Sequence, residues 1–277
     1  MLPNIENKEE LHDIAQLLYK VQKAVAALPS HWQKTNDIVN KNMRIGLGVT
    51  GILQALDKIP WLDECYTKLQ EFDTQWSDQR GWVRSIKIST IKPSGTLSLL
   101  AGVTPGIHPA FSKFYIRRVR MASNDALVEY CKQSGFNVEF VRGFDGAIDY
   151  STVVVEFPCK SADGTMLAQD MTAVDQLSMV ALLQRYWADN SVSCTVYYRK
   201  EELPIIKEWL KQHYEHSIKA ISFLLHNEHG FEQAPYEEIT EETYNTMLGK
   251  VSVTSSHDGL VGVIDDSDCE SGACPIR

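Results

Sequence analysis

Residues 91–109 constrain the fold of this 277-residue chain more tightly than any other segment. An alternating run at residues 86–90 precedes them and predicts a short strand. The segment then passes a proline and a glycine flanked by hydroxyl residues, and enters an apolar run of helical composition. Where a strand turns directly into a helix, the first helical N–H groups lack partners and, with the helix dipole, form a site for anions.

Two interpretations of this loop stay open from its residue types alone. In the first, the loop binds phosphate: Ser94, Thr96 and Ser98 supply hydroxyls. Gly95 would let an oxyanion approach the backbone, and Lys92 adds positive charge. In the second, a serine caps a helix that binds no ligand, which is a common arrangement.

Strand and helix patterns alternate along the chain, which predicts an α/β architecture with mostly parallel neighbouring strands. The predicted helices lie at residues 11–25, 51–58, 63–79, 123–135, 172–187, 204–210 and from 240 onward. The predicted strands lie at residues 86–91, 136–141, 152–157, 191–198 and 218–225. Helical spacing predicts one apolar face on the first helix, formed by Leu11, Ile14, Leu17, Leu18, Val21 and Val25.

Charge and composition exclude several classes of protein. A net charge of −9 argues against a general nucleic-acid-binding face. The local basic run at Arg117, Arg118 and Arg120 is more typical of an edge strand or a solvated face. No apolar run approaches the roughly 20 residues of a membrane span, and the N-terminus lacks the features of a signal peptide. We therefore expect a cytoplasmic protein that binds neither membranes nor nucleic acid directly.

From about residue 251 the chain is polar, and it ends with Cys269 and Cys274 on either side of Gly272. Two cysteines on a flexible terminus can close a small disulfide ring and exchange it with other thiols. The alternatives are an accidental pair of exposed cysteines and half of a zinc site, which would need four ligands. The remaining cysteines lie in helix or strand patterns and are interpreted as structural: Cys65, Cys131, Cys159 and Cys194.

Gly46, Gly48 and Gly51 match the G-x-G-x-x-G motif of dinucleotide-binding folds. That motif requires a preceding strand and a ribose-binding acid about 20 residues later. Here Glu71 and Asp73 fall within a helical pattern instead. We interpret the glycines as a tight turn that packs closely against a helix, and a nicotinamide-dependent dehydrogenase as the weaker alternative.

Long motifs of this chain resemble the adenosylcobalamin-dependent, or class II, ribonucleotide reductases, in particular the monomeric ribonucleoside-triphosphate reductases. The motifs lie at residues 41–51, 91–109, 111–120, 153–158, 189–193 and 233–238. The resemblance covers essentially the whole chain and corresponds to the C-terminal part of such an enzyme. It implies that residues 1–250 form part, mainly the second half, of a ten-stranded α/β barrel, and that residues 251–277 form a flexible, redox-active tail.

The resemblance also implies roles for particular residues. The substrate-phosphate loop, which would bind a ribonucleoside triphosphate, corresponds to Pro93, Ser94, Gly95, Thr96, Leu97 and Ser98. Cys269 and Cys274 correspond to the shuttle that re-reduces the active-site disulfide and then exchanges with thioredoxin or glutaredoxin. The complete enzyme would bind adenosylcobalamin, and no residue of this sequence is assigned to that cofactor.

The family's radical-bearing cysteine lies in an Asn-x-Cys-x-Glu motif, and these 277 residues do not contain that motif. Residue 1 falls just beyond the expected end of the loop that carries it. We therefore expect a C-terminal reductase portion that is inactive alone and works with an N-terminal polypeptide carrying the thiyl cysteine. The alternative is a non-catalytic nucleotide-binding or thiol-exchange protein that reuses the fold.

Overall fold

The computed structural model describes residues 1–94, 96–143, 146–226 and 233–252. The chain divides into two compact units. The first comprises Met1–Lys113 and Ser161–Glu228, and the second comprises Phe114–Lys160 and His229–Arg277. The predicted division at residues 250 and 251 stays a prediction, because residues 253–277 lie outside the described part of the chain.

The described helices and strands alternate in both units. The helices are α1 (Lys8–Ala26), α2 (Gln33–Asn42), α3 (Pro60–Arg80), α4 (Thr96–Leu100), α5 (Ala126–Gln133), α6 (Ala173–Tyr186), α7 (Leu203–Ser217) and α8 (Glu241–Leu248). The strands are β1 (Leu47–Gly48), β2 (Ser89–Thr90), β3 (Phe114–Ala122), β4 (Asn137–Arg142), β5 (Ile148–Lys160), β6 (Thr195–Tyr198), β7 (Ser222–Leu225) and β8 (Tyr236–Glu238). In the described ranges no helix is both long enough and apolar enough to cross a bilayer.

Parallel strands form the centre of the first unit. β1 pairs with β2, and β6 pairs with β7. The two pairs are separate two-stranded sheets, and an isolated parallel bridge between Ile91 and Val192 connects the segments next to them. Because α3 connects β1 to β2 and α7 connects β6 to β7, each pair is a βαβ unit. The predicted α/β architecture is therefore confirmed for this unit.

The two faces of this parallel sheet differ sharply. One face is buried beneath the helices and carries Leu47, Ile91, Val192 and Val196. On the other face Tyr197 and Leu224 are large. The remaining alternating residues there are small or polar and at least partly exposed: Gly46, Gly48, Thr90, Ser193 and Ser222. Parallel sheets are normally covered on both faces, whereas the residues of this face stay partly exposed within the described part of the chain. Within the described residues the strands do not close into a barrel, and the predicted ten strands are not all present.

The helix α1 confirms the predicted first helix. The residues that it buries are Leu11, Ala15, Tyr19 and Lys23. Lys23 is fully buried and donates hydrogen bonds to Asp73 and Ser77 on α3, while the Tyr19 hydroxyl donates to Asp73 at 2.6 Å. This polar network joins α1 to α3 together with the buried Leu11 and Ala15, which belong to one hydrophobic cluster with residues of α3. The other apolar residues whose spacing predicted the helix are exposed: Ile14, Leu17, Leu18, Val21 and Val25.

The second unit contains an antiparallel sheet with strand order β4-β5-β3-β8. The expectation of mostly parallel strands is therefore wrong for this unit. The predicted basic run lies on β3, where Arg118 pairs with Glu156 and Glu237. The Arg117 guanidinium lies 4.5 Å from the ring centre of Tyr236. Two of the three arginines of the run, Arg117 and Arg118, therefore make contacts within the sheet.

Three other elements differ from prediction. Residues 51–58 form two 3-10 turns instead of a helix, because Ala55 between them adopts an extended φ of −147°. The helix α5 is capped by Asp125, whose side chain accepts from the Leu127 amide, and not by Ser123. The helix α2 was not predicted. The capping box at Thr172 and the cap at Thr240 are both confirmed.

Gly135 permits a close crossing of two backbone segments in the second unit. Its φ is +87°, and a Cβ atom there would lie 2.1 Å from the carbonyl oxygen of Lys250. Next to this crossing, the amide of Ser252 donates to the carbonyl of Ser134 at 2.9 Å. The chain is therefore fixed in place at the last residues that the structure describes.

Candidate functional site

The predicted strand-to-helix turn is present in the first unit. The Ile91 carbonyl accepts from the Ser193 amide at 2.8 Å, which ties the start of the loop to the strand segment before β6. Pro93 and Ser94 follow and are exposed, and α4 begins at Thr96. Gly95 lies outside the described residues, and so does the Thr96 side chain. Of the remaining predicted loop residues, Leu97 is exposed and Ser98 is fully buried.

Thr50 holds the loop from beneath. Its hydroxyl lies 2.6 Å from the Ser98 hydroxyl, donates to the Thr104 carbonyl at 3.0 Å and accepts from the Gly106 amide at 2.8 Å. Ser98 also contacts the hydroxyl of Ser94. Ser98 therefore braces the loop internally, which leaves Ser94 as the described hydroxyl at the exposed side. The sequence motif that contains Thr50 gave no signal for this bracing role.

His108 ties the end of the loop segment to β6. Its Nδ1 lies 3.1 Å from the Pro105 carbonyl, and its Nε2 lies 3.2 Å from the amide nitrogen of Thr195. Since Nε2 accepts the Thr195 N–H, the proton of the neutral ring sits on Nδ1 and is donated to Pro105. Burial lowers the pKa of His108 and so favours this neutral form.

A cavity of about 790 Å³ opens on the first unit between the segments that lead into its strands. Its cationic lining residues are Arg44, Lys87, Lys92 and Lys219. Burial lowers the pKa of Lys219, and the positive charges of Lys87 and Arg44 lower it further, since like charges disfavour the protonated amine. This mutual repulsion reflects a cavity lining in which positive side chains outnumber negative ones.

Asp189 is the acidic residue in the lining of that cavity. Its carboxylate accepts hydrogen bonds from the amides of Ile88 and Ser89, each at 2.9 Å, and from the Tyr66 hydroxyl at 3.1 Å. The carboxylate therefore acts mainly as an anchor between strand segments. The cavity is lined by four cationic side chains and one carboxylate that is already bound to backbone amides. This balance of charge makes the cavity suitable for an anionic ligand such as a phosphate.

Sequence reasoning singled out only Lys92 among these cations. A usable signal did exist, because Arg44, Lys87 and Lys219 each stand two or three residues before a parallel strand. Residues at equivalent positions before neighbouring parallel strands meet at one edge of the sheet. The sequence alone does not show which strands are neighbours, so these cations could not be placed together.

The four described cysteines are free thiols. Burial raises the pKa of Cys65 and of Cys194 to about 12, and it also raises the pKa of Cys131 and Cys159. Inert, protonated thiols fit the structural interpretation, although Cys194 also lines the cationic cavity. The predicted shuttle residues, Cys269 and Cys274, lie outside the described part of the chain.

The glycine motif does not form a dinucleotide site. After Gly51, which has a φ of +74°, the chain enters a 3-10 turn and not the helix whose N-terminus would bind a pyrophosphate. A Cβ atom at Gly51 would lie 2.7 Å from the ring of Pro3 and 3.0 Å from Val103. The motif is therefore a tightly packed turn, as predicted, but its neighbours are a proline ring and a valine instead of a helix.

Parallel βαβ units, a hydroxyl-rich loop and a cationic cavity characterise a protein of the α/β class. Comparison with known families identifies the family within this class. The family model described as "Ribonucleotide reductase, barrel domain" matches residues 74–224, which is more than half of the chain. The chain belongs to this family.

The most informative relatives carry the name adenosylcobalamin-dependent ribonucleoside-triphosphate reductase. The protein from Euglena gracilis is 36% identical over 97% of this chain, and the one from Levilactobacillus brevis is 31% identical over all of it. A solved B12-dependent (class II) ribonucleotide reductase superposes with a TM-score of 0.76 over 92% of this chain, at 27% identity. The chain spans only 38% and 42% of the two relatives and 40% of the solved chain.

Proposed function

We propose that these residues are the C-terminal portion of an adenosylcobalamin-dependent ribonucleoside-triphosphate reductase, which converts ribonucleoside triphosphates to 2′-deoxyribonucleotides by a radical mechanism. The observation that carries this proposal is the cationic cavity beside the loop of residues 92–98, because both features suit the triphosphate of such a substrate. The names of the relatives supply the reaction.

The loop and the cavity act as a phosphate-binding region in this proposal. The side chain of Ser94 and the backbone at the start of α4 face the substrate oxygens, while Thr50 and Ser98 keep the loop in shape. Lys92 is shared between the loop and the cavity lining. Their positive charge offsets the charge of a triphosphate, which would otherwise be repelled by a chain with a net charge of −9.

The radical cysteine comes from another part of the enzyme in this proposal. No Asn-x-Cys-x-Glu motif occurs in the sequence, and about three fifths of the length of each relative lies outside the part matched here. An N-terminal polypeptide that carries the thiyl cysteine would also complete the barrel over the open face of the parallel sheet. These residues alone are therefore inactive.

Adenosylcobalamin, when bound to the complete enzyme, supplies the radical through homolysis of its cobalt–carbon bond. Among the described residues, no group of three or more His, Cys, Asp or Glu side chains could hold a bare metal ion. We assign no residue of this chain to the cofactor, and we derive the remaining roles from the protein side chains alone.

The tail completes the proposed cycle. Cys269 and Cys274 transfer electrons from thioredoxin or glutaredoxin to the disulfide that forms in the active site during each turnover. Such exchange requires reduced partner thiols, which supports the proposed cytoplasmic location. No feature of this scheme involves a membrane or nucleic acid.

The test is reconstitution. The purified chain is mixed with the part of the Euglena gracilis reductase that these residues do not match, together with adenosylcobalamin, dithiothreitol and ATP, and dATP is measured by chromatography. We expect product only when both polypeptides and the cofactor are present. Product from this chain alone would give the radical role to one of its own cysteines, and Cys194 would be the first to test. Failure of the mixture while the intact Euglena enzyme works would contradict the proposal.

A further inference from the structure

Lys58 holds the first residues of the chain in place. Its ammonium group donates to the carbonyl oxygens of Leu2 at 3.4 Å, Pro3 at 3.0 Å and Ile5 at 2.5 Å. These carbonyls belong to a 3-10 turn and to the residue that follows it. The last carbonyls of a helical turn lack partners within the turn and favour a cation. Residues 2–5, which we call the N-terminal turn, are therefore anchored by the lysine.

The N-terminal turn packs against the two residues that follow β1 and Val49, namely Thr50 and Gly51. The Leu2 amide donates to the Thr50 carbonyl at 3.0 Å. A Cβ atom at Gly51 would lie 2.7 Å from the ring of Pro3, so the proline ring rests directly on the glycine backbone. Displacement of the N-terminal turn would therefore remove support from both residues.

Thr50 and Gly51 also contact the segment that carries the loop of residues 92–98 or follows it. The Thr50 hydroxyl lies 2.6 Å from the Ser98 hydroxyl, and the Gly51 amide donates to the Thr104 carbonyl at 2.9 Å. Nearby, the side-chain oxygen of Gln54 accepts from the Thr104 amide at 2.8 Å. The same short stretch of chain therefore contacts both the N-terminal turn and the phosphate loop.

We infer that Lys58 is a positioning residue for the phosphate loop. It holds the N-terminal turn, the turn supports Thr50 and Gly51, and these two residues hold the loop segment. The described contacts of Lys58 are with the carbonyls of the turn and with the ring of Trp61, 5.9 Å from its centre, so its effect on the loop is indirect. This inference rests on the proposed function, which makes the loop a binding site for the phosphates of the substrate.

The expected effect of Lys58 is on affinity, because a ligand that must first order a loose loop binds more weakly. Binding of ATP to the full chain is measured by titration calorimetry. K58M should raise the dissociation constant about three- to thirtyfold, the range found for residues that act on a site without touching its ligand. K58R keeps the donors and should recover most of the affinity.

The variant K8M is the matched control. Lys8 follows the N-terminal turn closely in sequence, but its ammonium group pairs with Glu64 on α3 at 3.1 Å. K8M therefore removes the same charge near the same segment and should leave the dissociation constant for ATP unchanged. The combination K58M/S98A tests the route: its loss of affinity should be smaller than the sum of the two single losses, because both act through the contact of Thr50 with Ser98.

Each outcome has a definite meaning. Urea midpoints check that the variants are folded. If the midpoint of K58M is lowered, P3A replaces it, because this variant removes the ring that rests on Gly51 without changing a charge. A role of Lys58 in stability alone would leave the dissociation constant for ATP at the wild-type value, and this result overturns the inference.

Full additivity of K58M and S98A also overturns the inference, as does a wild-type chain that binds no ATP. Formation of dATP in the reconstituted mixture judges the proposed function separately. A working enzyme whose K58M variant binds ATP normally would contradict only the inference.

Discussion

The hydroxyl of Thr50 and the hydroxyl of Ser98 lie 2.6 Å apart, although 48 residues separate them in the chain. This contact joins the turn after β1 to the short helix of the phosphate loop. Because Thr50 also accepts from Gly106 and donates to Thr104, one side chain sets the shape of the whole segment around the loop.

Replacement of Thr50 by valine should destabilise the first unit by about 1–3 kcal/mol, because it leaves the Gly106 amide without its partner and removes one of the two hydroxyl contacts of Ser98. Valine has nearly the shape of threonine, so packing is preserved. Urea denaturation measures the effect, and T50S, which keeps the hydroxyl, is the matched control. Equal stability of T50V and the wild type would show that Thr50 does not brace the loop.

His108 predicts a dependence of stability on pH. Its pKa is lowered by burial in the folded state, so the unfolded chain, with a histidine pKa of about 6.5, binds more protons. The stabilising contribution of the neutral ring is therefore complete above about pH 6.5 and is lost as the pH falls below that value. Urea denaturation from pH 7.5 to pH 5.5 should show this loss in the wild type.

The variant H108Q should flatten that profile, because glutamine can place an oxygen near the Thr195 amide and does not titrate. Burial also lowers the pKa of His12, which provides a comparison. The variant H12Q should remove only the part of the pH dependence that His12 contributes. A profile that H108Q leaves unchanged would assign the pH dependence to other groups.

The cationic cavity predicts a loss of nucleotide affinity in K219M. Removal of one of four clustered positive charges should weaken ATP binding to the reconstituted enzyme about tenfold, which corresponds to about 1.4 kcal/mol. K219R keeps the charge and should retain most of the affinity. The control K211M removes an exposed lysine of α7 that pairs with Glu208, and calorimetry should find its affinity unaltered. A similar loss in K211M would point to a general charge effect instead of a site.

The buried pair of Lys23 and Asp73 predicts a large stability effect. K23M leaves the Asp73 carboxylate buried without its cation, which should cost about 3–5 kcal/mol. The double variant K23M/D73N removes both charges and should recover much of that loss. The two values together, from urea denaturation, isolate the coupling between the residues. Additive losses in the double variant would mean that the two charges act independently.

The tail predicts a contrast between reductants. In the reconstituted enzyme, C269S/C274S should abolish repeated turnover with thioredoxin, because the shuttle is missing. Dithiothreitol should still support activity, because a small dithiol can reach the barrel disulfide directly. Equal loss with both reductants would give the cysteines a structural or chemical role, and no loss with either would make the tail dispensable. Single-turnover assays should show no defect.

Sequence reasoning predicted those parts of the fold that depend on local chemistry. The capping box at Thr172 and the strand-to-helix turn before Thr96 follow from residue types within a few positions. The buried pairing of Lys23 with Asp73 was not predicted, because the two residues lie 50 positions apart in the sequence. The cationic cavity was missed for the same reason, since it depends on which strands are neighbours.

The close crossing at Gly135 has a consequence for electron transfer. It fixes Ser252, so Cys269 stands 17 residues from an anchored point and can travel at most about 60 Å from it. A side chain at Gly135 would collide with the Lys250 carbonyl and release that anchor, which lengthens the tether. A longer tether lowers the effective concentration of the tail thiols at any site they serve. In the proposed shuttle, a residue without a side chain, far from the cysteines in sequence, would thus set how often the tail thiols reach their partners.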